Sequence, residues 1–319
     1  GIGLSYPKYA TFVNRGGQTS PFHPSLVDYW NFKGKNNFDK DRNTIKGVKG
    51  NILNAYNFAW SLGSGYGLFK ENYLTYNKVQ DVFVTDDHSI TIMNFVPANT
   101  WILFKYGTQH LNTTRVRVTG LTANNQLAYG YSSNDGARVL MAIPSDGEYD
   151  LPESVVNTTS YNVGFIVQNA LTKNVTIEQI PEYEGAIVTD GVDDYLKLDK
   201  VGYKVETVII KYIPIPTVNR WQYVLDTQTE RIFIGYTNKT SVENDKVVSS
   251  FTNIKDIGGY KVFKEGGIKN VSTPLFIGSN TNISEPLSMA LYSIAIYDRV
   301  LSDQEVQEVI NFMNKENES

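Results

Sequence analysis

The sequence predicts an all-β protein: one β-sandwich interrupted by a second, smaller β-sandwich, with a single C-terminal α-helix. Three observations carry this. Between about Leu26 and Ile296, apolar and β-branched residues recur at period two in short runs, as at 113–119 (TTRVRVT), 161–167 (YNVGFIV), 206–213 (ETVIIKYI) and 231–236 (RIFIGY), each bounded by Gly, Asn or Asp turns. The texture also shifts along the chain: residues 26–75 are rich in Gly, Asn and Lys, whereas 80–181 and 186–300 carry two separate strand rhythms. Finally, Ser302-Asp303-Gln304-Glu305 is a capping box, followed by Val306, Val309, Ile310 and Met313 at helical spacing.

Taken in order, residues 1–25, with Pro7, Gly16, Gly17, Pro21 and Pro24, read as an arm or linker. Residues 26–75 and 183–315 are expected to form the outer, discontinuous sandwich, and 80–181 the insertion. The terminal helix docks one apolar stripe on the sheets. Residues 314–319 are polar and read as a frayed end, with 316–319 a tail outside the domain.

Composition narrows the function. Lys+Arg 29 against Asp+Glu 33 leaves a net charge of −4 in 319 residues, so no broad basic surface is available for phosphates and nucleic acid is not an expected partner. The absence of Cys excludes disulfides, thiolate nucleophiles and Cys-bound metals, and the three scattered residues His23, His88 and His110 suggest neither metal spacing nor Asp or Ser company. No apolar run is long enough to span a bilayer. The chain opens at Gly1 without a basic and apolar leader, so a targeting segment is expected to be absent or removed. What remains is an uncharged, aromatic chemistry, with 21 Tyr and only 19% charged residues.

Four segments resemble one family. Residues 26–32 (LVDYWNF) look like the opening strand of laminin-G-like, concanavalin A-like jelly rolls, and 46–51 (KGVKGN) like the Gly/Asn-rich turn that follows it. Residues 189–196 (TDGVDDYL) are similar to the family's DG-x-DDY strand, with Thr189 where a Phe is usual. Residues 275–278 (LFIG) and 290–305 (ALYSIAIYDRVLSDQE) resemble its closing strand and helix. The resemblance implies a concanavalin A-like, LamG-type jelly roll, split between about Ser61 and Ala186. The insert's end, 174–181 (NVTIEQIP), resembles the last strand of small carbohydrate-binding β-sandwich modules. The whole mosaic resembles proteins of gut Bacteroides and their phages.

Sugar recognition needs flat rings for the apolar C–H face of a pyranose, beside neutral amides for its hydroxyls. In the insert Trp101, Tyr106, Tyr129 and Tyr131 are the rings, and Asn99, Gln126 and Asn134 the nearby amides. Of these, Trp101, Tyr129, Tyr131, Asn99 and Asn134 form the candidate carbohydrate site. Alternation places Trp101 with Leu103 on one strand face, and Tyr129 with Tyr131 on the more apolar face of another; a core role competes with a binding role at each. Asp190, Asp193 and Asp194 offer hard oxygen ligands to calcium, or simply an Asp-Gly turn bonding its own backbone. No E-x-D-x-E motif places paired carboxylates on one strand; the nearest approaches are Glu243-Asn244-Asp245 and Asp303/Glu305.

These readings favour a non-catalytic glycan-binding, adhesive or structural protein of a cell surface or phage particle, such as a head fibre, tail-associated or decoration protein. Its localisation would be extracellular, on a cell surface or in a virion. Its partners would be a glycan or bacterial surface polysaccharide and other structural proteins of the same particle, and a homo-oligomer would multiply weak sites. Two alternatives stand beside it: a glycoside hydrolase on the concanavalin A-like fold, and a purely architectural protein–protein module.

Overall fold

Sheets buried on both faces need strands that are apolar on both faces, and the strand Met289–Tyr297 (MALYSIAIY) is such a sequence. In this computed structural model, which describes residues 24–123, 126–169, 174–215, 222–228, 233–236 and 247–318, it is the centre of the outer unit. Most of the expected N-terminal arm lies outside the described residues, as do His23 and Glu243-Asn244-Asp245. The described residues are all-β apart from one α-helix and a short 3-10 turn, and they divide into two compact units, one formed by those of 24–60, 64–67 and 185–318 and the other by those of 61–63 and 68–184.

The outer unit is a sandwich of two seven-stranded antiparallel sheets. In the first, Met289–Tyr297 pairs on one side with Tyr203–Pro214, and on the other with Leu26–Asn31 and Ile187–Val188. Leu291, Ile294 and Ile296 face the core shared with the second sheet, alongside Trp30, Leu196, Val208 and Leu225. Ala295 and Tyr297 face the opposite way, into a separate cluster with the helix residues Val306, Val309, Ile310 and Met313. Trp30 is fully buried and donates its indole N–H to the Asn51 carbonyl at 3.0 Å.

The opening strand carries a buried acidic side chain. The Asp28 carboxylate accepts from the Tyr29, Lys49 and Asn51 backbone N–H groups and from the Asn51 side-chain amide, at 2.7–2.9 Å. It thereby fixes the turn after Lys46 to the strand. A Cβ on Gly47 would fall 2.3 Å from this carboxylate, so only glycine lets the turn approach so closely.

The helix Asp303–Glu318 starts as its capping box dictates: the Glu305 N–H donates to Ser302 Oγ, and the Ser302 N–H to Glu305 Oε1, both at 3.1 Å. Its far end corrects the expectation of a frayed tail. The helix continues through Glu318 because Tyr29 donates its hydroxyl to Glu316, and Lys33 Nζ donates to the last carbonyls, those of Glu316 and Asn317.

The inserted unit is a smaller sandwich of two five-stranded sheets. One has the order Arg138–Ile143, Leu127–Ser132, Asn162–Val167, Thr100–Tyr106, Asn77–Lys78. The other runs Gly147–Leu151, Thr114–Thr119, Val175–Ile180, Ser89–Ile92, Val82–Asp86. Between them pack Ile90, Leu103, Val116, Leu127, Phe165 and Ile177. Residues 68–75, expected with the outer sandwich, belong to this unit, since Tyr73 and Tyr76 are buried in its core.

Candidate functional site

The site is built by one extra residue. Along the pair Thr100–Tyr106 and Asn162–Val167, Leu103 faces Phe165 and Trp101 faces Ile166, so Ile102 is a bulge with no partner of its own. Ile102 and Leu103 both enter the core. The expected sharing of one face by Trp101 and Leu103 therefore fails: the bulge breaks period two, and the indole turns to the outer face of the sheet.

There the ring lies over a strand neighbour without a side chain. Gly130 sits between Tyr129 and Tyr131, whose rings pack on the core side, so its own missing side chain would point outward. A Cβ at that position would meet Trp101 Cη2 at 2.5 Å and Cζ3 at 3.1 Å. Trp101 and Gly130 are two strands apart, with Asn162–Val167 between them. To span that gap of about 10 Å, the indole must lie along the sheet rather than stand off it. It remains partly exposed. The Arg138 guanidinium sits over it, 5.6 Å from the ring centroid, and over Tyr161 at 5.3 Å. Three hydrogen bonds fix Tyr161: its hydroxyl donates to the Gly136 carbonyl at 2.9 Å and accepts from Ser132 Oγ and Asn157 Nδ2, each at 3.0 Å.

The other candidates do not join this face. Tyr129 is 3% exposed, and burial pushes its phenol far above the ordinary range; it is a core residue, not a stacking surface. Tyr131 stacks on Tyr129 at 6.3 Å and packs against the same core. Asn99 is exposed two residues before Trp101, in the left-handed region at φ 59°. Asn134 is exposed in the turn between Leu127–Ser132 and Arg138–Ile143, which Asp135 holds by accepting from Ser133 Oγ and the Ala137 N–H. Gln126 is buried, its side-chain carbonyl accepting from the Thr122 and Ala123 N–H groups. Arg138 and Tyr161 went unnoticed in the sequence because neither is near Trp101 in the chain.

A second aromatic group, on the outer unit, was also unread. Tyr56, Tyr195 and Phe276 stack in series at 4.9 and 5.4 Å, with planes inclined by 14° and 23°. In this series Tyr195 has a ring on either side, and the Lys197 ammonium lies over Phe276, 5.8 Å from its centroid.

Two groups of acids have the spacing of cation ligands. In the first, Asp190 Oδ1 accepts from the Val192 and Asp193 N–H groups, and Asp194 Oδ2 from the Asp190 N–H, which is the geometry of a self-bonded turn. Asp194 Oδ1 is buried without a partner, and burial raises this carboxyl to about 7. The second group, Asp86, Asp87 and His88, corrects the reading that the histidines lack acidic company: His88 Nδ1 lies 3.1 Å from Asp86 and 3.0 Å from Asp87, under a Phe69 ring stacked at 4.0 Å. Two adjacent aspartates were the legible signal. His88 Nδ1 thus lies at direct hydrogen-bond distance from the Asp87 carboxylate, in a group that is buried apart from the half-buried Asp86. A cleft elsewhere in the inserted unit, lined by Leu68, Lys70, Arg115, Gln179 and Glu182, has no aromatic floor.

No protein-family model and no curated protein sequence matches the chain. Among the described residues, no helix is long and apolar enough to cross a membrane.

Proposed function

We propose that the protein is a non-catalytic glycan-binding module of a cell surface or virus particle, and that the inserted sandwich holds the sugar on Trp101. The observation that carries this is the partly exposed indole laid along the outer sheet face over Gly130: beside the Arg138 guanidinium, which covers part of it, the ring offers an apolar plane on which a pyranose stacks. The resemblance of the outer unit to laminin-G-like, concanavalin A-like jelly rolls supports the same reading, since such folds serve as recognition modules; the fold alone does not establish it. A single ring on a shallow face binds weakly, so repeated copies in a particle or homo-oligomer would supply the avidity. Asp303 and Glu305, one of the two nearest approaches to a hydrolase acid pair, are engaged by Lys255, Lys264 and Arg299, which favours binding over hydrolysis. The test is a glycan array probed with the full chain and with Trp101→Ala. Signals that disappear in the variant, with an unchanged melting temperature, support the proposal; signals that persist place any glycan site elsewhere.

A further inference from the structure

We infer that the Trp101 face selects a sugar acid, a saccharide carrying a ring carboxylate such as a uronic acid, with Arg138 as its anion partner. The inference rests on the glycan reading above and names the ligand class. Among the described arginines, Arg42, Arg115, Arg117 and Arg299 are all hydrogen-bonded or ion-paired within the chain. Arg138 is exposed and has only the two rings beneath it, Trp101 and Tyr161. A guanidinium resting on aromatic faces keeps its N–H fork at the edges, where a carboxylate can accept two parallel bonds.

Among the described residues no carboxylate forms an ion pair with that guanidinium, whose contacts are the two rings. Across the outer face Arg138 is followed by Leu140 and Ala142, which pair with Gly130 and Ala128, so none of these positions is charged. The nearest acid in the chain, Asp135, is held back in its turn by Ser133 and the Ala137 N–H. A neutral sugar would use the indole and leave the guanidinium without an anion; a sugar acid would use both. Because the Tyr161 ring is fixed by its three hydrogen bonds, Arg138 is ordered before the ligand arrives, which lowers the entropy lost on binding.

The experiment compares oligogalacturonate, its methyl ester and the matching galacto-oligosaccharide, which share a ring skeleton and differ at C6, by calorimetry on the full chain. The expected result is binding of the acid at least about tenfold tighter than of the ester or the neutral sugar, as a charge-assisted pair provides. Arg138→Gln should erase that preference while leaving residual binding, Arg138→Lys should restore part of it, and Trp101→Ala should remove binding of all three. Equal affinity for the three sugars, unchanged in Arg138→Gln, would overturn the acid preference and leave the stacking role of Trp101 intact. Binding of none, here and on the array, would overturn both.

Discussion

Gly130 and Trp101 share one volume: the space a Cβ would need on residue 130 is taken by the benzo edge of the indole, 2.5 Å away at Cη2. Gly130→Ala should therefore lift the ring off the sheet. Because the ring is partly exposed and can swing outward, the stability cost should not exceed about 1–3 kcal/mol. Near-UV circular dichroism should register the displaced indole, and glycan binding should fall with it. An unchanged spectrum would mean that the floor does not set the ring's pose.

Trp101→Ala and Tyr129→Ala should separate cleanly. Tyr129 is a core ring, and its truncation should cost about 3–5 kcal/mol in urea unfolding, with any effect on binding secondary to that loss. Trp101→Ala should cost far less and act on binding. Equal stability losses would show that Trp101 is as structural as its neighbour.

Asp194 makes the outer unit lose stability as pH rises from acid to neutral. Its carboxyl is raised by burial to about 7 in the fold, against about 3.9 unfolded. The folded state therefore holds the proton more tightly, so the contribution is complete below about pH 4 and is lost as pH rises through about 7. Melting temperature should decline over that window, and Asp194→Asn should flatten the decline. If the turn is self-bonded and metal-free, millimolar calcium leaves the melt at pH 7.5 unchanged; a calcium-dependent rise, absent in Asp194→Asn, would instead mark a cation site.

Asp303 has the opposite sign. Hydrogen bonds from Lys264 and Lys255 hold its carboxyl down at about 2, so its contribution is present above the unfolded value near 4 and disappears as pH falls through about 2. Lys264 is 5% exposed, and its ammonium donates to Asp303 and to the Leu301 carbonyl. Asp303→Asn should leave that buried charge underpaired and destabilise the helix dock more than Lys255→Ala does. Ser302→Ala, which removes the cap one residue earlier, should cost on the order of 1 kcal/mol. Identical melts for Asp303→Asn and Lys255→Ala would show that the buried ammonium finds another partner.

What was legible in the chain was what depends on regular periods. The capping box at Ser302 and Glu305, the apolar stripe through Met313, and the core-facing pair Tyr129 and Tyr131 follow from spacing alone. Trp101 did not, because a single unpaired residue at Ile102 reverses the faces and nothing in WILFKY marks where it falls. The Asp28 cradle was also missed. A lone Asp inside the apolar run LVDYW signals a buried carboxylate, but its four donors lie more than twenty positions on, apart from the adjacent Tyr29 N–H. The long reach of Tyr29 and Lys33 to the last helical turn is likewise a tertiary fact.

The chain leaves and rejoins the outer unit through adjacent segments: Gly65–Tyr66 pairs with Ile187–Val188, and the Gly67 N–H donates to the Ala186 carbonyl at 2.8 Å. Loop-closure entropy then predicts an order of folding. Residues 68–184 are contiguous and close their own sandwich from nearby sequence, whereas the outer sheets must join Leu26–Asn31 to Met289–Tyr297 across everything between. While the insert is a coil, that closure carries the entropy of a long loop; once the insert has folded, its two ends are held together and the same closure spans a short tether. Damage to the core of the inserted unit is therefore expected to slow formation of the outer unit, which refolding kinetics would register.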